Sequence, residues 1–214
     1  MARQTRPLRR GATIGILGGG QLGRMLSVAA SRLGFKSHIY CPDTASPATH
    51  VAAYETNASY DDLDAVREFA SKCDVVTYEF ENIPEFTAKA AETEAPLRPG
   101  QRALKIVQDR LVEKKFLRDK ARVPVVPFME VNSTEDLFVA AVKLDLPAIL
   151  KTRTLGYNGK GQVVVETEDD LKTAFQTLGE VPCILEASMP FKREVSIIAA
   201  RGANGDFAAY PLSE

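Results

Sequence analysis

No apolar run in this sequence approaches the roughly 18 residues that a membrane-spanning helix needs. The basic start, MARQTRPLRR, is followed by no apolar stretch of the kind that makes a secretory signal. An Arg-rich organellar presequence shares that composition, but residues 1–12 read as a disordered basic tail. Histidine is scarce: His38 and His50 lie in apolar or turn contexts without partners, and both read as structural. Cysteine is scarce too. Cys41, Cys73 and Cys183 are odd in number, far apart and without paired metal spacing, which fits buried thiols in a reducing cytosol. Net charge is −1, so no excess of one sign points to nucleic acid or a membrane surface. What remains is an ordinary globular composition, 45% hydrophobic and 26% charged, in 214 residues. That length suits one large domain or two small ones.

What is present alternates in period. Residues 13–17, TIGIL, read as a strand that runs into Gly18-Gly19-Gly20-Gln21-Leu22-Gly23. Leu22, Met25, Leu26 and Ala29–Ala30 then recur at helical spacing up to Leu33–Gly34, where the glycine predicts a C-cap. Strands are expected at 36–40, 53–56 and 74–78, and helices at 61–72 and 84–95, with Pro84 near a first turn. This order predicts an α/β domain built on a doubly wound parallel sheet. Residues 101–121 read as one helix. Pro124 and Pro127 bracket an extended run that makes the best domain boundary. Beyond it the pattern gives a helix from Ser133 (N-cap, with Asp136 at N3) to Leu144, and strands at 147–151 and 162–166. A helix at 168–178 and a strand at 183–186 complete a small α+β unit. Strand patterns at 194–201 and 206–212 follow, and two strands alone make no stable core. The expected division is a tail (1–12), a parallel-sheet domain (13–122), a small α+β domain (123–189) and the incomplete start of a third (190–214).

Three stretches carry chemistry. Residues 151–162, KTRTLGYNGKGQ, form a strand–loop–strand with three glycines in six positions and cations at Lys151, Arg153 and Lys160. Glycines let backbone N–H groups approach a ligand, and lysines suit phosphate oxygens, so the loop reads as a flap over a polyphosphate. An ordinary solvated hairpin tip has the same make-up. The turn at 18–23 matches G-x-G-x-x-G with Asp43 about twenty residues on, which is a dinucleotide fingerprint that offers a helix N-terminus to an anion. The same turn also serves other phosphates, or merely packs strand on helix. In Thr77–Asn82, TYEFEN, Glu79 and Glu81 fall at the C-terminal end of a strand, where open α/β sheets bind ligands. A carboxylate there calls for a cationic substrate group; the plain alternative is a solvated strand exit. Further on, Glu186-Ala187-Ser188-Met189 ends a strand and suits the edge of an adenine ring, and Glu194, eight residues later, suits ribose hydroxyls. Arg110 suits the same cleft, or is a solvated helix arginine.

Together GGGQLGRM, TYEFENI, QDRLVEKKFL, AILKTRTLGYNGKGQ, ILEASM and EVSIIAARG resemble the N5-carboxyaminoimidazole ribonucleotide synthetases, ATP-grasp enzymes of purine biosynthesis. The resemblance runs from about Thr13 to Leu212. It implies a Rossmann-like pre-ATP-grasp domain, a small ATP-grasp lid and the first strands of a C domain, with ATP held between the last two. It implies no NAD, but ATP with Mg²⁺, bicarbonate and aminoimidazole ribonucleotide, in a cytoplasmic homodimer. Carried over by motif, Lys151 and Arg110 contact phosphates, and Gly156, Tyr157, Asn158, Gly159, Lys160, Gly161 and Gln162 form the flap. Glu186, Ala187, Ser188 and Met189 face adenine and Glu194 the ribose. Gly20, Gln21, Leu22 and Glu79 lie on the ribonucleotide side, with Tyr157, Asn158 and Lys160 as the catalytic candidates.

Two departures from the family pattern matter. Asn158 stands where the family's flap has Asp, and an amide cannot accept a proton as a carboxylate does. The family's Mg²⁺-binding carboxylates and its Arg/His/Asn/Ser cluster have no counterpart here, so the metal ligands are expected beyond residue 214. The 214 residues alone are therefore expected to bind nucleotide weakly and not to turn over. Rival readings are a sister ATP-grasp ligase, such as formate-dependent glycinamide ribonucleotide transformylase or biotin carboxylase, and a non-catalytic nucleotide-binding fragment.

Overall fold

The computed structural model describes residues 7–156 and 159–214, and the chain divides into two units. Residues 8–124 with 153–155 form one; residues 125–152 with 156–214 form the other.

The first unit opens with β1 (Thr13–Leu17), α1 (Gln21–Arg32), β2 (Lys36–Cys41) and β3 (Tyr54–Asn57). It continues with α2 (Leu63–Ser71), β4 (Val75–Tyr78) and α3 (Glu85–Glu94). The four strands pair in parallel in the order β3-β2-β1-β4. Crossover helices cover a parallel sheet, which is why β1 and β2 are buried over most of their length. Leu17, Tyr40, Phe69, Val76 and Leu97 lie in its core. Helix ends follow local chemistry. Gly34, at φ +82°, takes the left-handed position that ends α1, and the Phe35 N–H returns to the Ala30 carbonyl at 2.9 Å. The Asp62 carboxylate caps α2 by accepting from the Ala65 N–H at 3.0 Å. His38 is buried, with Nε2 2.9 Å from Thr56 Oγ1 and its ring 4.8 Å from that of Phe69. Burial, and then the Lys72 charge, hold its imidazole below the ordinary 6.5. Burial likewise pushes the Cys73 thiol up to about 12, so it stays protonated.

The single helix expected over 101–121 is broken. α4 (Gln101–Val107) stops, α5 (Arg110–Phe116) starts afresh, and a π-helical turn, Leu117–Ala121, follows. Two side chains compete with helix continuation. Asp109, in extended backbone, accepts from the Leu111 and Val112 N–H groups at 2.9 and 3.3 Å and caps α5. The Gln108 amide donates to the Glu81 and Ile83 carbonyls, both at 2.6 Å, and so fixes the loop after β4.

The second unit contains β5 (Phe128–Val131), α6 (Thr134–Leu144), β6 (Ala148–Thr152) and β7 (Gln162–Val165). It then adds α7 (Asp170–Thr177) and β8 (Cys183–Ala187). Its sheet is antiparallel in the order β5-β8-β6-β7, and Val131, Leu137, Leu150, Leu171, Phe175 and Leu185 fill its core. β5 was not expected from the sequence. It is an edge strand paired only with β8 and entered directly from Pro127, a position where proline is tolerated. Ser133 caps α6 by accepting from the Asp136 N–H at 3.1 Å, and the Asp136 carboxylate reaches the Asn132 N–H at 3.0 Å. Beyond residue 190, β9 (Ala199–Arg201) and β10 (Phe207–Ala209) form an antiparallel hairpin whose residues are all exposed. The strands are shorter than the pattern predicted.

Candidate functional site

The glycine turn between β1 and α1 is filled by the chain itself. Gly20, the N-cap of α1, has no side chain to satisfy the first helical N–H groups. Glu79, one residue past β4, does this from a distance of 59 positions. Its Oε1 accepts from the Gly20 N–H at 2.5 Å and its Oε2 from the Gly23 N–H. The glycines are what admit it: a Cβ at Gly18 or Gly20 would run into the Glu79 side chain, and one at Gly23 would press on the Gly18 carbonyl as well as on Glu79. On the other side, a Cβ at Gly19 would meet Ser46 and Cys41. The expectation of an α1 N-terminus open to a phosphate is thereby corrected. A carboxylate already sits where the helix favours negative charge, and it repels a pyrophosphate. Each Glu79 oxygen keeps lone-pair capacity beyond its bond to α1, so the group still offers acceptors to an N–H donor. Gly20 and Glu79 are thus brought together. Gln21 and Leu22 open α1 on the same turn, both exposed.

In the second unit Lys151, near the end of β6, has its Nζ 2.9 Å from Oε2 of Glu186 on the neighbouring strand β8. The side chains are 19% and 7% exposed, so each charge has its counter-charge in a largely dry setting. Two residues assigned by motif to phosphate and adenine are here paired with each other. The Ala187 N–H donates to the Pro127 carbonyl at 3.0 Å and the Ser188 N–H to the Pro147 carbonyl at 3.3 Å. A ring edge laid along 186–189 therefore meets committed donors at those two residues. Met189 and Glu194 are exposed.

The loop from β6 to β7 is closed at its base by the Thr152 N–H, which donates to the Gly161 carbonyl at 2.9 Å. Gly159 and Gly161 have φ of +78° and +70°, a region that L side chains rarely adopt. Gly156 is half-buried, and Lys160 and Gln162 are exposed or nearly so. Tyr157 and Asn158 lie outside the described residues. Arg110 opens α5, and its N–H donates to the Arg153 carbonyl at 2.9 Å.

Sequence reasoning missed the role of Arg153. Its guanidinium grips Asp109, with Nε at 3.2 and 3.1 Å from the two carboxylate oxygens and Nη2 at 2.6 Å from Oδ2. The side chains are 23% and 19% exposed. Burial alone would raise the Asp109 pKa, but the Arg153 fork and the Val112 and Leu111 amides hold it below the ordinary carboxylate value. An acid and a base 44 residues apart leave no local pattern, so only the helix-breaking preference of Asp109 was available as a signal. Among the described residues, no three of His, Cys, Asp and Glu come together as a metal site.

Comparison with known proteins gives two family matches. Residues 11–108 match the ribonucleotide synthetase preATP-grasp domain and residues 116–214 the ATP-grasp domain. The N5-carboxyaminoimidazole ribonucleotide synthase of Brucella melitensis biotype 1 is 46% identical over 210 residues, covering 97% of this chain and 58% of the relative. The crystal structure of N5-carboxyaminoimidazole synthetase from Staphylococcus aureus complexed with ADP superposes with a TM-score of 0.90 at 40% identity. That match covers 96% of this chain and 55% of the other. The Aspergillus clavatus enzyme in complex with ADP and 5-aminoimidazole ribonucleotide gives a TM-score of 0.83 at 29% identity, covering 95% and 53%. The chain therefore spans a little over half the length of these three relatives.

Proposed function

The chain belongs to the N5-carboxyaminoimidazole ribonucleotide synthetases of the ATP-grasp superfamily, and on that premise we propose that it serves ATP-dependent carboxylation of 5-aminoimidazole ribonucleotide. A bicarbonate oxygen bonds to the γ-phosphorus as the bond to ADP breaks. The resulting carboxyphosphate separates into CO₂ and phosphate. The exocyclic amine then attacks the CO₂ carbon and loses a proton, giving the N5-carboxylate. The protein's part is positioning and charge stabilisation.

The observation that carries this reading is the Glu79 carboxylate, held by two α1 amides at the C-terminal end of the parallel sheet. It turns away phosphate and leaves acceptors for an N–H donor, which an aminoimidazole supplies and a dinucleotide pyrophosphate does not. Gly20, Gln21 and Leu22 frame the same turn. In the second unit Lys151 and the loop Gly156 to Gln162 take the ATP phosphates, Glu186 to Met189 the adenine and Glu194 the ribose; Arg110, in the first unit, is a phosphate contact by motif alone. Tyr157, Asn158 and Lys160 act beside the substrate amine. The relatives' ADP complexes support the nucleotide half and the Aspergillus clavatus complex the ribonucleotide half. Mg²⁺ accompanies the ATP in this reading, and among the described residues no three of His, Cys, Asp and Glu come together to hold it. A cytoplasmic homodimer completes the reading.

The test is phosphate release from ATP by the complete protein, with bicarbonate and Mg²⁺, as each acceptor is varied. Stimulation by aminoimidazole ribonucleotide is expected. Stimulation instead by glycinamide ribonucleotide with formate, or by biotin, would move the assignment to a sister ligase.

A further inference from the structure

We propose that Asp109 and Arg153 are positioning residues that fix residues 153–155, the start of the loop that leads into Gly156. The inference rests on the nucleotide reading above for its consequence, but on geometry alone for its anchor. Three bonds of 2.6 to 3.2 Å join the Arg153 guanidinium to the Asp109 carboxylate, in a setting where both side chains are about four-fifths buried. A fourth, from the Arg110 N–H to the Arg153 carbonyl at 2.9 Å, holds the backbone of the same residue. Asp109 is itself immobilised, because its Oδ1 also accepts from the Leu111 and Val112 N–H groups at the start of α5. The helix break at Gln108–Asp109 is what makes this possible. A continuous helix would engage those N–H groups with backbone carbonyls and leave Asp109 in the middle of a turn. Charge and planarity both matter: a guanidinium presents a fixed fork to a carboxylate, and a lysine ammonium does not. Beyond the anchor, Gly159 and Gly161 adopt conformations that leave the loop's far side to glycine, and the Thr152–Gly161 bond closes it.

Asp109→Asn keeps a side-chain oxygen to cap α5 and removes the charge that holds the fork, while Arg153→Lys keeps the charge and removes the fork. Hydrogen–deuterium exchange and ADP titration would be run on the complete wild-type protein and on both variants, with urea unfolding as the control for global stability. The expected result is exchange in the peptide covering 153–156 faster by about tenfold in both variants, against unchanged exchange in β8. ADP affinity should fall by about the same factor in variants that the urea control shows to be folded, even where the loss of the ion pair lowers the midpoint. Unchanged exchange at 153–156 in either variant would overturn the anchor. Faster exchange with unchanged ADP affinity would overturn the positioning role. If the complete wild-type protein bound no ADP at millimolar concentration, the nucleotide reading would fail by that measurement, and the exchange arm would still decide the anchor.

Discussion

Removing the Glu79 carboxylate should destabilise the parallel-sheet unit more than loss of an ordinary helix cap does. The carboxylate accepts two N–H bonds from the first turn of α1, and Gly20 has no side chain to replace it. A hydrogen bond to a charged group contributes about 1.5–3 kcal/mol, and an ordinary N-cap about 1 kcal/mol. Glu79 is half-buried, so water recovers part of the loss, and about 2–3 kcal/mol is expected for Glu79→Ala. Glu79→Gln should cost slightly less, about 1.5–2 kcal/mol, because one amide oxygen still accepts while its NH₂ faces the other donor. In urea, with a slope of about 1.5–2 kcal/mol/M, the alanine variant's midpoint falls by about 1–2 M. Gly20→Ala makes the test specific. Gly20 has φ −76° and ψ −163°, which any residue adopts, so the cost must come from the new methyl meeting Glu79. About 1–3 kcal/mol is expected alone, and most of it should vanish in the Glu79→Ala background. Glu79 variants within about 0.5 kcal/mol of wild type, or a Gly20→Ala cost that persists without Glu79, would refute the filled-turn account.

Three further outcomes follow from the geometry. His38 is held below 6.5 in the folded state, so the unfolded chain binds its proton first; stability contributed by the neutral ring should fall as pH drops from about 6.5 toward the lower folded value. His38→Gln should flatten that part of a stability–pH curve, and an unchanged slope would show that another group titrates there. Lys151→Met removes the Lys151 cation from the buried Glu186 carboxylate and should cost up to about 3 kcal/mol, whereas the paired Lys151→Met/Glu186→Leu change should recover most of it; equal urea midpoints for single and double variants would contradict this. On the proposed function, Asn158→Asp restores the proton acceptor that the family's flap carries and should raise the turnover of the complete protein, and an equal or lower rate would remove Asn158 from the chemistry.

Much of the fold was legible because its signals are local. The alternation of strand and helix up to α3, the Gly34 C-cap and the Ser133 N-cap each depend on residues within a few positions of one another. The misses are non-local. β5 is short, follows two prolines and exists through its ladder with β8, more than fifty residues later. The break at Gln108–Asp109 depends on Gln108 reaching carbonyls at 81 and 83 and on Arg153 reaching back to Asp109. Nothing in residues 101–121 encodes those partners. The candidate site divides in the same way. The glycine turn, Glu79 and the Gly-Lys loop stood out by residue type and spacing. That Glu79 would occupy the turn, and that Lys151 would pair with Glu186, depends on contacts between strands distant in the chain.

The central claim is a carboxyl transfer from bicarbonate to an aminoimidazole, and ¹³C-labelled bicarbonate tests it most directly. The complete protein would be followed by NMR with ATP, Mg²⁺ and 5-aminoimidazole ribonucleotide, while phosphate is measured in parallel. A carbamate carbon signal that requires both ATP and the ribonucleotide, formed one for one with phosphate, is the predicted result. Phosphate release without a labelled carbamate, or label appearing on a different acceptor, would contradict the account.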